Sequence, residues 1–201
     1  MTNNLSAENL KDLYLQKNLS AFEISKIFNC SENKINHWLK YYNIQKRSIS
    51  DAIYLKHNPN GDPFSSKVKL NAKEKELKAL GLGIYWGEGD KSLNNTSVRL
   101  GNTDPYLLKR FREFLRKIYC VKEEKIKYGL ILFNDANERQ AVHFWKEHIE
   151  IRRKQLGKIT KIAPQGKGTY KRKSRTGVFI INFTNKKLKE IILKEIQNLH
   201  N

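Results

Sequence analysis

The stretch KEKELKALGLGIYWGEGDKS, residues 73–92, sets the tightest limit on how this chain can fold. Strong helix formers flank it and its apolar residues recur at helical spacing, which predicts a helix near 72–88, yet Gly81, Gly83 and Gly87 fall inside it. Each interior glycine costs about 1 kcal/mol relative to alanine, so the three weaken the helix by about 3 kcal/mol unless packing offsets the loss. Ala79, Gly83 and Gly87 are spaced by four and share one face, where missing side chains let a second helix approach backbone to backbone. Leu77, Leu80 and Ile84 line a different face and are expected to enter the domain's own core. A loop loosened by glycine is the plain alternative, and the flanking helix formers speak against it.

Glu88 stands at the end of this helix, where the helix dipole disfavours a carboxylate, and Gly89 after it suits a left-handed cap. A twin helix packed along the glycine face would bring two Glu88 carboxylates together, a repulsion that a divalent cation between them relieves. A solvated surface acid is the plainer reading of Glu88.

Residues 58–66, NPNGDPFSS, carry two prolines and a glycine among polar residues and cannot continue a helix. They divide the chain into residues 1–57, a linker at 58–69, and residues 70–201. The first part reads as a three-helix helix-turn-helix domain. Ser6 opens one helix with Leu10, Leu13 and Tyr14 inward; Ser20 and Glu23 form a capping box ahead of Ile24, Ile27 and Phe28; Ser31 caps a third with Ile35, Trp38, Leu39 and Tyr42 on one side. The second part is α+β, a mixed αβ domain. It has strands near 96–101 and 126–133, helices from Asp104 to Tyr119 and near 136–148, the buried strand VFIINF at 178–183, and a closing helix near 185–199.

Thirty-nine Lys and Arg against twenty Asp and Glu leave a formal charge of +19. Such a field suits a polyanion, nucleic acid first and an acidic membrane surface second. Residues 1–60 contribute 8 − 5 = +3 and residues 61–201 contribute 31 − 15 = +16, with ten basic residues and no acid between 151 and 177. That last stretch reads as a basic loop kept extended by its own repulsion. No apolar run approaches the ~18 residues of a membrane span, and no basic segment followed by an apolar stretch opens the chain, so a cytoplasmic protein, nucleoid-associated in a prokaryote, is expected. Cys30 and Cys120 are too few and too far apart for a disulfide framework, and the five-residue spacing of His143 and His148 does not suit zinc.

In helix-turn-helix docking the N-terminal part of the third helix enters the major groove, which nominates Asn33, Asn36 and His37 for base edges and Lys34 and Lys40 for phosphates. Exposed polar residues are the plain alternative for each. Arg47, in the arm IQKRSIS, is placed to reach a phosphate or the minor groove.

The segment GLGIYWGEG, residues 81–89, resembles a diverged LAGLIDADG motif, with Gly83 at its central glycine, Glu88 at its catalytic acid and Gly89 at its last glycine. The order of strands and helices after it is also similar to that homing-endonuclease family. The resemblance covers residues 70–201. It implies a saddle-shaped sheet over double-stranded DNA, motif helices paired at an interface, and Mg²⁺-dependent cleavage of both strands. With one motif per chain it implies a homodimer joined through Ala79, Gly83 and Gly87, each copy contributing Glu88 as metal ligand. The N-terminal segment separately resembles helix-turn-helix domains of the resolvase type.

Strand alternation puts Arg99 on the DNA-facing side of the sheet, with Lys127 a similar case. Lys158, Lys161, Lys171, Arg172, Lys173 and Arg175 lie in the acid-free stretch as phosphate contacts, Lys161 being the choice for a lysine beside the reacting phosphate. A DNA-binding protein of the homing-endonuclease type is the expectation, with metal-dependent, site-specific cleavage by a homodimer left open. A non-catalytic, sequence-specific regulator on the same fold and an RNA-binding maturase-like protein stay open, since the basic stretch with Tyr170 would accept structured RNA.

Overall fold

The computed structural model describes residues 5–92, 94–163 and 174–200. The chain divides into two compact units, Met1–Asp62 and Pro63–Asn201, at a point inside the proline-bearing stretch. Among the described residues there are eight α-helices and one four-stranded mixed sheet, an α+β protein. No helix among these residues is long and apolar enough to cross a membrane.

The first unit holds α1 (Ala7–Lys11, continued as a π-helical turn through Gln16), α2 (Ala21–Ile27), α3 (Glu32–Tyr41) and α4 (Ile49–His57). The caps behave as their residue types require. Ser6, Ser20 and Ser31 each accept a hydrogen bond from the backbone N–H three residues on, and Glu23 returns the contact by accepting from the Ser20 N–H at 2.8 Å. Asn18, Asn29 and Asn43 occupy left-handed conformations between the elements, a region that asparagine tolerates better than most side chains. Leu10, Tyr14, Ile24, Ile35, Leu39 and Ile44 then close over one small core. Ile27 differs from expectation: it is exposed. The helix α4 also differs, because Ser48 caps a segment that reads as an irregular arm, and none of its residues is buried.

The second unit runs α5 (Ala72–Glu88), β1 (Ser97–Asn102), α6 (Pro105–Lys117), β2 (Lys127–Phe133), α7 (Glu138–Ile149), β3 (Leu156–Ile162), β4 (Val178–Thr184) and α8 (Lys186–Gln197). The sheet order is β1-β4-β2-β3, with β4 antiparallel to both neighbours and β2 parallel to β3. A parallel pair needs a crossover, and α7 supplies it.

The strand β3 corrects the reading of 151–177 as one basic loop. A bulge sets Tyr128 opposite Leu156 but Leu130 opposite Ile159, so the apolar residues of β3 fall three apart and the usual alternation is lost. One face of the sheet carries Val98, Leu100, Tyr128, Leu130, Leu132, Phe179, Ile181 and Phe183 into the core, against Phe111 and Phe114 of α6, Trp145 of α7 and Ile192 of α8. Aromatic rings organise this layer: Trp145 stacks on Phe179 at 4.8 Å and Tyr85 of α5 on Phe111 at 5.7 Å.

Of the three glycines in α5, Gly81 is explained within the chain. A Cβ there would stand 2.1 Å from Phe114 Cγ, so the helix backbone lies directly on that ring. Leu80 corrects its assignment to the core. It is 48% exposed, and the inward face is instead Leu77, Gly81, Leu82 and Tyr85. Gly89 is likewise corrected, since its φ of −77° is extended, not left-handed. Glycine is required there by proximity: a Cβ would lie 2.4 Å from the Tyr85 ring.

Glu123 ties the helices to the sheet from within the second unit. Arg112 donates to it at 2.8 Å and Arg116 lies 2.9 Å away, while the buried Gln155 bonds the Glu123 and Ile126 carbonyls. Burial pushes the Glu123 carboxyl up, but hydrogen bonding and charge from Arg112, with Gln155 and Arg116, outweigh it and hold the group below its usual range.

Two outcomes follow from this packing. Gly81→Ala should lower the unfolding free energy by about 2 kcal/mol through overpacking against Phe114. Gly83→Ala, in open space, should raise it by up to about 1 kcal/mol; denaturant titration at low protein concentration compares the two. A carboxyl depressed in the folded state stabilises above its unfolded value near 4.5 and loses that contribution as pH falls through the folded value. Glu123→Gln should therefore destabilise at pH 7 and flatten the acid limb of the stability curve, which melts between pH 3 and 7 would read.

Candidate functional site

The second unit leaves the sheet face opposite its helices comparatively open. Arg99 of β1, Asn182 of β4 and Lys127 of β2 are paired across the strands and form one polar, basic row on that face. The next row is Gly101, Ile180 and Gly129, where two absent side chains leave Ile180 flanked by backbone. Val178, Ile131 and Thr160 follow. Lys158 lies in the bulged stretch of β3 and is exposed.

The end of α5 delivers Glu88 to the rim of this surface. Gly89 bridges to Leu100 of β1, so the chain passes from helix to sheet edge in one step. Glu88, Gly89, Asp90 and Arg99 line a groove of about 260 Å³ whose floor is Gly101, Ile131, Val178 and Ile180. The Glu88 carboxylate is exposed and takes no hydrogen bond or ion pair among the described residues. Lys91 donates to the Trp86 carbonyl at 2.6 Å, which offsets the negative end of the helix just where the acid stands.

Asp90, the other acid of the groove, is committed to its own loop. It accepts from the Asn95 side chain at 2.7 Å and from the Ser92 N–H at 3.0 Å, and the Asn95 amide above all holds its carboxyl below the usual range. Its backbone carbonyl accepts from Tyr85 at 2.7 Å, a hydroxyl that burial pushes up to about 12. Lys189, buried on α8, donates to the Ser92 and Asn95 carbonyls at 2.7 Å each and lies 3.9 Å from Asp90. Burial pushes the Lys189 ammonium down while Asp90 opposes that shift. The sequence offered no signal for Lys189, which reads as one more surface lysine until the loop between α5 and β1 is folded over it.

Ala79, Gly83 and Gly87 share an exposed face of α5, and a Cβ at either glycine would meet nothing within 4 Å. Leu80 and Trp86, about half exposed, flank them.

Lys161 is not at the groove. It pairs with Leu132, a residue of the covered face, and reaches Glu138 of α7 at 3.0 Å. The strand period turns it to the helix side, so its assignment beside a reacting phosphate is withdrawn. Arg175 is exposed in the turn before β4, and Lys171, Arg172 and Lys173 lie outside the described residues.

In the first unit, Asn33, Lys34, His37 and Lys40 are exposed on α3, and Asn36 is half-buried. Arg47 is corrected from a free arm residue to a structural clamp. Its guanidinium donates to the carbonyls of Tyr14, Leu19 and Asn18 at 2.8, 2.6 and 2.9 Å and lies 4.2 Å from the Tyr14 ring. With its donors engaged on carbonyls and its plane on an aromatic face, it closes the unit. Tyr41, which sequence reasoning passed over, is the most exposed aromatic side chain of α3.

No protein-family model, curated protein or solved structure matches the chain.

Arg47→Met should lower the unfolding free energy by about 2 kcal/mol through the lost charge-assisted bonds. Lys34→Met or Lys40→Met should shift it by less than about 0.5 kcal/mol. Denaturant titration of the three variants separates the clamp from the exposed lysines.

Proposed function

We propose that this chain is a DNA-binding protein of the LAGLIDADG type, with an N-terminal helix-turn-helix formed by α2 and α3, and that two copies pair along α5 to make a metal-dependent DNA endonuclease. The observation that carries this reading is the face of α5. Two glycines weaken a well-capped seventeen-residue helix on a side where the described residues place nothing within 4 Å of an added Cβ, and the same helix ends in a carboxylate without a partner among those residues, on the rim of an open sheet. A second α5 explains the cost of the glycines, and the pairing explains the acid.

Among the described residues of one chain no group of three or more His, Cys, Asp or Glu could hold a metal ion, so a Mg²⁺ ion would have to be shared between two copies, with one carboxylate from each together with water and phosphate. Glu88 of each copy would hold it, since Asp90 has both oxygens engaged. Such an ion, held by Glu88 of each copy, would supply Lewis-acid activation of water and charge neutralisation at a phosphate. Arg99 and Lys127 bind flanking phosphates, and Asn182 between them is positioned to meet base edges. On α3, Asn33 and His37 face base edges while Lys34 and Lys40 bind phosphates.

One observation favours a second, non-cutting reading, a sequence-specific regulator: among the described residues, Glu88 is the one carboxylate of the groove that is not engaged. The two readings separate on a supercoiled plasmid library with Mg²⁺. Endonuclease activity should nick the plasmid with the natural chain and fall at least about a hundredfold in Glu88→Gln, as loss of a group that acts on the transition state does. Equal nicking by both proteins removes Glu88 from the chemistry, and selective binding without nicking leaves the regulator. Gly83→Leu should convert a dimer of about twice 23.6 kDa to a monomer in a native mass measurement. An unchanged monomer in the natural chain overturns the pairing.

A further inference from the structure

On α3 the exposed residues form a ladder. Asn33, His37 and Tyr41 follow one another at intervals of four along a single line, and Lys34 and Lys40 flank that line on either side. At 1.5 Å per residue the line is about 12 Å long, close to the length of three to four base-pair steps.

Tyr41 is the anomaly in this ladder. Its side chain is 67% exposed, yet its ring is held by three neighbours: His37, stacked at 6.5 Å with 19° between planes, and Trp38 and Tyr42, each edge-on at 5.2 Å. The remaining ring surface is apolar, fixed in direction and set among groups suited to a polyanion. Trp38 and Tyr42 are themselves half-buried against the small core, so the orientation of Tyr41 is inherited from the fold. In duplex DNA the base edges present one apolar group, the thymine 5-methyl, and it lies in the major groove.

We propose that Tyr41 reads a thymine through apolar contact of its ring with that methyl group, adding a specificity determinant to α3. This inference rests on the reading of α3 as a DNA-contacting helix and goes beyond it by naming the base and the atom recognised.

A duplex site selected from a random library with the full chain provides the test. The same duplex is prepared with thymine or with uracil, which pairs identically and lacks the methyl. Affinities are then compared for the natural chain, Tyr41→Phe and Tyr41→Ala. Loss of one methyl contact should weaken binding about fourfold in the natural chain and in Tyr41→Phe. The uracil penalty should be about fourfold smaller in Tyr41→Ala. Photocrosslinking of a duplex carrying 5-iodouracil at the contacted position should map to Tyr41, a readout that needs no variant to fold. Equal uracil penalties in all three proteins, a crosslink mapping elsewhere, or a selected site without an A·T pair overturns the proposal. So does a loss of binding in Tyr41→Phe as large as in Tyr41→Ala, which would assign the hydroxyl to a phosphate. A natural chain that selects no duplex at all fails the DNA reading itself, and the proposal falls with it.

Discussion

At Gly81 the backbone of α5 rests on the ring of Phe114, closer than any side chain would permit. That contact sets the rotation of the helix about its axis. With Gly81 inward, Leu77, Leu82 and Tyr85 follow it into the core, and Ala79, Gly83 and Gly87 turn outward. Tyr85 then stacks on Phe111 and sends its hydroxyl to the Asp90 carbonyl, which fixes the bend by which Gly89 joins the edge of β1. The position of Glu88 over the open sheet is the end result of this chain of contacts, each of which depends on the one before.

The loop after Glu88 is held by a different kind of force. Lys189 is buried, and a buried ammonium is tolerated only when its donors are satisfied and a counter-charge is near. The Ser92 and Asn95 carbonyls and the Asp90 carboxylate meet those needs, so the closing helix α8 becomes the anchor of a turn nearly a hundred positions earlier. Two acids two residues apart thereby take different roles: Asp90 is consumed by structure and Glu88 is left free.

Much of the layout was legible because local chemistry and tertiary demand agree. The Ser20–Glu23 capping box, the Ser31 cap, the buried run of β4 and the amphipathic stripe of α8 each follow from short-range rules that the packed structure has no reason to override. The misses have separate causes. A bulge broke the alternation of β3, and a helix without a buried face, α4, carries no periodic apolar signal. Leu80 was assigned inward because leucine is apolar and in phase, although Gly81, with no side chain, won the core position through close contact. Arg47 and Lys161 were misread alike, since a cation in a basic stretch looks available until its partners, the carbonyls of Tyr14, Asn18 and Leu19 in one case and Glu138 in the other, are brought near.

Composition and local pattern alone determined the net charge of +19, its concentration after residue 60, the succession of most helices and strands, and the glycine row with its terminal acid, because these depend on neighbours within a few residues. Only the tertiary structure decided which cations are free and which are tied, which of two acids remains unengaged, and which glycine is packed and which are open. Those outcomes depend on groups far apart in the chain, such as Gly81 with Phe114 and Asp90 with Lys189, and no local pattern encodes a distance between residues that meet only when the core closes.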